Sequence, residues 1–247
     1  MSSTDELVPV LKRLKLSGVL QTMELRTSQA VDDALTYPEY LYRLLKDEVE
    51  RREGKQLQLR LRRASFDSMK TLEDFDFTFN PGVPKARVID LATTNFVPKH
   101  ENVLVVGPTG VGKSHLAQAL GVRACQAGYR CLYMPAHQLL TSLRAARADD
   151  SYEAKMRRFC AADLLIIDDL GLRPLAHDEP LDLYELIRRR YERGAMVITS
   201  NRDIAEWHEL FRDALLASAA MDRLLHHAHI LRIDGDARSF RNPLPQA

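Results

Sequence analysis

From residue 102 onward, short apolar runs alternate with amphipathic stretches, a pattern that predicts strands of a parallel sheet separated by helices. The runs cover residues 102–106, 130–134, 164–168, 195–200 and 230–233. Such nearly continuous apolar strands imply that helices cover both faces of the sheet. Residues 85–96 read as a helix that turns Val88, Ile89, Leu91 and Ala92 inward, and residues 138–158 read as two short helices.

Upstream the pattern is helical throughout. Leu7, Val10, Leu11, Leu14 and Val19 recur at helical spacing, with Lys12, Arg13 and Lys15 on another face. A longer helix starts near Pro38, where Thr36 and Glu39 have capping-box spacing, and continues to about Arg63. Leu41, Leu44, Leu45 and Val49 form its apolar stripe, and Arg51, Arg52, Lys55, Arg60, Arg62 and Arg63 make its second half basic. Leu57, Leu59 and Leu61 alternate as a strand would, but no turn signal precedes them, so the helix is predicted to run through. Phe75, Phe77 and Phe79 then precede the turn signal Asn80-Pro81-Gly82, a connector whose aromatic rings can dock on a core. The expected organisation is a helical domain over residues 1–68, a connector over 69–84 and an α/β domain over 85–247.

Composition narrows the class. A chain of 247 residues, 45% hydrophobic and 28% charged, can bury one sizeable core plus a smaller appendage. No apolar stretch approaches the roughly 18 residues of a membrane span. The first residues lack the basic and apolar regions of a signal peptide, so no membrane partner and a cytoplasmic location are expected. Cys125, Cys131 and Cys160 form no C-x-x-C pair, which favours reduced thiols over a disulfide or zinc site. With a net charge of +1, any surface for a polyanion must come from local clustering.

The chemistry is concentrated at strand ends. Gly107-Pro108-Thr109-Gly110-Val111-Gly112-Lys113-Ser114 fills every fixed position of G-x-x-x-x-G-K-[ST], between an apolar strand and a helix that opens with His115-Leu116-Ala117. Its glycines let backbone N–H groups point at a β-phosphate, Lys113 adds a charge for the β/γ oxygens, and the Ser114 hydroxyl suits Mg²⁺. The chain is therefore expected to bind ATP with Mg²⁺. Another strand ends in Asp168-Asp169: the first carboxylate can hold a water on Mg²⁺ and the second can orient the attacking water. Asn201 ends the following strand, where its amide can reach the γ-phosphate or the water. His226, His227 and His229 invite a metal hypothesis, but no carboxylate or thiol spacing completes a tetrahedral set.

These motifs, with Leu11-Lys12-Arg13-Leu14-Lys15-Leu16, Glu48-Val49-Glu50-Arg51-Arg52, Thr71-Leu72-Glu73-Asp74-Phe75-Asp76-Phe77, Thr199-Ser200-Asn201 and the run from Met221 to His229, closely resemble the IstB-like helper ATPases of bacterial insertion sequences. That family belongs to the AAA+ superfamily and is related to DnaC-type helicase loaders. The resemblance implies a AAA+ P-loop core after a small all-helical N-terminal domain. It makes residues 107–115 the nucleotide-binding segment, Asp168 and Asp169 the Walker B pair, Asn201 sensor 1, and Arg223 an arginine finger reaching a neighbouring subunit's nucleotide. Read from the residues alone, Arg223 is equally compatible with a solvated helix position.

Two departures stand out. Many AAA+ proteins carry Asp-Glu where this chain has Asp168-Asp169, which points to slow hydrolysis. After Ile233 about 14 residues remain, too few for a helical lid when one helix averages about 11 residues, so Arg238 or Arg241 would have to replace a lid-borne contact to nucleotide. Loader-type relatives place DNA-facing residues where this chain has Arg144, Arg147, Lys155, Arg157 and Arg158, and Arg51, Arg52 and Lys55 add a second basic cluster. The implied function is an ATPase that assembles as a ring or spiral homo-oligomer on duplex DNA, largely without reading sequence, and stimulates a partner transposase in DNA transposition. A DnaC-like helicase loader acting on single strands is the alternative, and a nucleotide-switched scaffold with little hydrolysis is a third. A small-molecule P-loop kinase fits less well, because no acceptor-binding lid is evident.

Overall fold

The computed structural model describes residues 3–211 and 213–233, and the chain divides into two compact units, Met1–Leu59 and Arg60–Ala247. The first unit contains α1 (Ser3–Arg13), α2 (Ser17–Asp32) and most of α3 (Tyr37–Ala64). The periodicity from Leu7 to Val19 belongs to two helices rather than one, because Lys15 adopts a left-handed φ of 55° and breaks the chain between α1 and α2. Val19, Met23 and Leu44 form the core of this unit, with Leu11, Leu16 and Tyr40 packed around them. Of the expected stripe on α3 only Leu44 is buried, while Leu41, Leu45 and Val49 are exposed. The next position one turn along the buried face is Glu48, whose carboxylate accepts the Gly18 N–H and pairs with Arg51 and Arg52. Glu39 bonds the Thr36 N–H at 2.9 Å, the backward half of a capping box.

The second unit is a five-stranded sheet in the order β2-β3-β4-β1-β5, parallel at every pairing. The strands are β1 (Val103–Val106), β2 (Cys131–Pro135), β3 (Leu164–Asp168), β4 (Ala195–Ser200) and β5 (His229–Arg232). Every residue of β1, β3 and β4 is buried, as three central strands covered on both faces must be. One face meets α5 (Lys113–Gln126), where Gly121 lets the helix approach so closely that a Cβ would stand 2.5 Å from the Ile166 side chain. Leu165, Ile167, Met196 and Ile198 point to the other face and pack with α6 (Ala136–Ala148), α7 (Tyr152–Cys160), α8 (Glu179–Arg190) and α9 (Ala214–Leu225). Arg190, fully buried, donates to the carbonyls of Phe159 at 2.8 Å, Ala162 at 2.9 Å and Ala195 at 2.7 Å, joining the end of α7 to the start of β4. Burial holds its guanidinium down to about 10.

The helix expected over 85–96 is shorter: α4 (Lys85–Leu91) buries Val88 and Leu91, but Ile89 is 54% exposed and the chain turns away after Leu91. The connector packs within its own unit. Phe75 is buried and meets the His115 ring edge-on at 5.1 Å, and Glu73 pairs with Arg123 of α5.

Candidate functional site

The P-loop leaves β1 at Gly107, where φ is 154° and a Cβ would lie 2.5 Å from the Ile233 carbonyl oxygen, so close backbone approach requires glycine. Gly112, at φ 98°, is the N-cap of α5, which turns successive N–H groups toward the hollow of the loop. Lys113 is buried and donates from Nζ to the Pro108 carbonyl at 2.7 Å, which lays the ammonium across the loop. Pro108 and Thr109 are exposed, Val111 is buried as an anchor, and Ser114 is half-buried in the first turn of α5. The His115 ring is hydrogen-bonded through Nε2 to the Thr71 carbonyl at 2.7 Å.

Asp168 and Asp169 close β3 at the same, carboxyl end of the sheet, with β4 between them and the P-loop strand. Thr199 of β4 ties the tip together: its hydroxyl donates to Asp168 Oδ1 and accepts the Asp169 N–H at 2.8 Å. The other oxygen of Asp168 accepts from the Tyr133 hydroxyl at 2.7 Å. Burial, followed by the neighbouring carboxylates, raises the Tyr133 phenol above its ordinary range, so it remains protonated. Asp169 adopts a left-handed φ of 57°, tolerable for aspartate and enough to redirect the chain at this point. Sequence reasoning missed Thr199 and Tyr133; the one available signal was a polar residue inside each of two otherwise apolar strands.

Asn201, just past β4, is exposed and shares a cleft of about 570 Å³ with Gly107, Pro108, Asp203 and Arg232. Arg232 and Asp203, 3.5 Å apart across this cleft, were also missed, since neither falls in a recognisable motif. The arrangement offers an anion-binding loop with a lysine, a buried carboxylate at a neighbouring strand tip, and an amide within the adjoining cleft. Ser114 in the first turn of α5 and Asp168 at the tip of β3 carry hard oxygen donors of the kind that magnesium prefers.

Residues 9–244 match the family described as IstB-like ATP binding protein. The chain belongs to that family. Over 232 residues it is 40% identical to the insertion sequence IS21 putative ATP-binding protein of Pseudomonas aeruginosa, spanning 94% of this chain and 88% of that one. The crystal structure of DnaI superposes with a TM-score of 0.59 at 21% identity, covering 72% of this chain and 94% of DnaI. AMPPCP-bound DnaA from Aquifex aeolicus gives 0.57 at 19%, with 69% of this chain matching 51%, about half, of DnaA. At these identities the structural matches speak for the fold, a AAA+ P-loop core behind a helical N-terminal region.

The remaining predicted positions of this IstB-like protein fall on other elements of the chain. Arg223 is on α9, whose Leu224 carbonyl accepts from Asn102 at 3.1 Å, at the amino end of the sheet. Asn102 and Gly107 are five residues apart, roughly 16 Å at about 3.3 Å per residue. Arg223 thus stands at the end of the sheet opposite its own P-loop, with its guanidinium 5.7 and 5.9 Å from the Tyr184 and Tyr191 rings and bonded to the Ala219 carbonyl at 2.7 Å. Among the basic candidates, Arg144, Arg157, Arg158 and Lys55 are exposed and Lys155 is half-buried. Arg147 pairs with buried Asp182 and lies over Tyr152, and Arg51 and Arg52 neutralise Glu48, so these three present less positive charge than the sequence suggests. His226 bonds the Tyr191 hydroxyl at 3.0 Å and His229 pairs with Glu101 at 2.7 Å, which gives both polar partners other than a metal. Arg238 and Arg241 lie outside the described residues.

Proposed function

We propose that this chain is a cytoplasmic, ATP-hydrolysing assembly factor of an insertion sequence, which polymerises on duplex DNA as a ring or spiral and stimulates a partner transposase. The observation that carries the reading is the family match over residues 9–244, joined to a P-loop, a strand-tip carboxylate pair and a AAA+ fold. Lys113 and the loop N–H groups hold the β- and γ-phosphates, and Asn201 hydrogen-bonds the γ-phosphate or the attacking water. Asp169 orients that water in line with the bond to the leaving ADP oxygen. Ser114 and Asp168 would hold Mg²⁺, which when bound neutralises charge on the phosphate oxygens.

Arg223 supports hydrolysis in a neighbouring copy. An arginine at the opposite end of the sheet cannot complete its own site, whereas head-to-tail assembly brings that end against the next copy's P-loop. Exposed basic residues on α6 and α7 repeat once per copy, so individually weak phosphate contacts add along the duplex without reading bases.

Filter binding with ATP tests this. Retention should favour long duplexes, tolerate sequence changes and fall linearly in log–log form with salt as counterions compete. A marked preference for single strands would overturn the transposition reading in favour of a helicase loader.

A further inference from the structure

Tyr133 occupies the middle of β2, opposite Ile166 in the register, in a strand whose other buried members are Cys131 and Leu132. Its ring is buried, yet its hydroxyl contacts two carboxylates, Asp168 Oδ2 at 2.7 Å and Asp67 Oδ2 at 3.0 Å. A phenol has one proton and an ionised carboxylate has none, so Tyr133 can donate to only one of them at a time. The two aspartates compete for a single donor. Asp168 is the strand-tip carboxylate of the nucleotide site, with its second oxygen already held by Thr199.

Asp67 is exposed and belongs to the short segment that follows α3. Ser65 turns that segment with a left-handed φ of 59°, Phe66 meets the Tyr133 ring at 6.1 Å, and the Ser68 N–H donates to Gln118 of α5 at 3.3 Å. The segment is thus seated on β2 and α5, and of these contacts the Asp67 hydrogen bond shares its donor with Asp168.

We propose that Tyr133 is a positioning residue that couples the nucleotide state at Asp168 to the docking of residues 65–68, through the choice of which aspartate accepts the hydrogen bond from its hydroxyl. The proposal rests on the assignment of Asp168 to the metal–nucleotide site. A cation drawing on Asp168 makes that carboxylate the weaker acceptor, and the Tyr133 O–H, keeping its proton, turns to donate to Asp67, holding the segment down. Without the cation, Asp168 accepts the Tyr133 O–H and Asp67 is released. Coupling of this kind is reciprocal: an event that removes Asp67 from Tyr133 leaves the phenol competing at Asp168 and weakens nucleotide binding. Because the segment leads out of α3, the N-terminal helices gain a route by which their state can bias the ATP site.

The test uses the full chain, Mg²⁺ and a non-hydrolysable ATP analogue, with no DNA or transposase. Wild-type amide exchange over residues 65–68 should slow on addition of the Mg²⁺–analogue. Asp67→Ala, at an exposed position, should weaken analogue affinity about 5-fold, the low end of common coupling energies. Tyr133→Phe keeps the ring, and in that background Asp67→Ala should have no further effect, while exchange over 65–68 should stop responding to nucleotide. Unchanged exchange in wild type would overturn the proposal whether or not the Phe variant folds, and so would an undiminished Asp67→Ala effect in a folded Phe background. An absence of analogue binding by wild type would overturn both this inference and the ATP-site assignment. A failed DNA or transposase response would instead overturn the proposed function alone.

Discussion

Thr199→Val is the most informative single change for the link between fold and site, because valine keeps the shape of a fully buried side chain and removes only its hydroxyl. That hydroxyl serves two partners, Asp168 Oδ1 and the Asp169 N–H, and both belong to the strand tip. A buried group left unsatisfied costs about 1–3 kcal/mol, with charged groups at the upper end. The buried Asp168 oxygen would lose its hydroxyl donor, giving an expected loss of about 2–3 kcal/mol by the same scale. For a chain of this size that corresponds to a fall in Tm of roughly 4–12 °C, taking about 2–4 °C per kcal/mol. The damage should extend to chemistry. Asp168 would keep only the Tyr133 contact to fix its orientation, and an error of about 1 Å in a catalytic group can cost about a hundredfold in rate. Thermal melts and steady-state ATPase assays on Thr199→Val and Thr199→Ser measure both effects, with serine expected to recover most of each. A valine variant within about 0.5 kcal/mol of wild type, the scatter of neutral substitutions, would refute the reasoning, as would a serine variant equally damaged.

Asp169→Asn should retain ATP binding, lose hydrolysis and prolong the DNA-bound assembly, whereas Asp168→Asn should also alter the Mg²⁺ dependence of binding; nucleotide binding and phosphate release measured side by side separate the two. Acid should weaken the N-terminal unit in a defined window. Arg51 and Arg52 hold the Glu48 carboxyl down to about 2, from an ordinary 4.5, so its contribution to stability is complete above 4.5 and disappears as pH falls from there toward 2. Unfolding midpoints across that range should drop more steeply for wild type than for Glu48→Gln, and equal slopes would remove Glu48 from the account.

The features that could be read in the sequence are those fixed by local spacing. The P-loop is legible because its glycines, lysine and serine serve one continuous stretch of backbone, and the five strands because each coincides with a short apolar run. Thr199, Tyr133 and Asp67 were not legible, since their roles depend on partners 30 to 66 residues away that only the strand pairing brings together. The break at Lys15 was missed because its left-handed conformation falls on a residue that gives no glycine or asparagine signal. Arg51, Arg52 and Arg147 read as free positive charge, because nothing in the sequence shows that Glu48 and Asp182 are buried beside them as their partners. Ile89 was assigned inward together with Val88 and Leu91, but it lies on the solvent side of α4.

The central claim is that ATP is hydrolysed in sites completed by a neighbouring copy, and complementation between two inactive variants tests it most directly. Arg223→Ala leaves the P-loop intact and Lys113→Ala leaves the finger intact. An arginine finger is worth about 10³ to 10⁵ in rate, so neither variant alone should show appreciable turnover on duplex DNA. Mixed in equal amounts, with co-assembly verified by pull-down of a tagged partner, some interfaces will join an intact Lys113 to an intact Arg223. Those interfaces should restore about a quarter of the wild-type rate, the random-pairing share of one competent combination in four if sites act independently. Wild-type turnover by Arg223→Ala alone, or no recovery in verified mixed assemblies, would contradict the account.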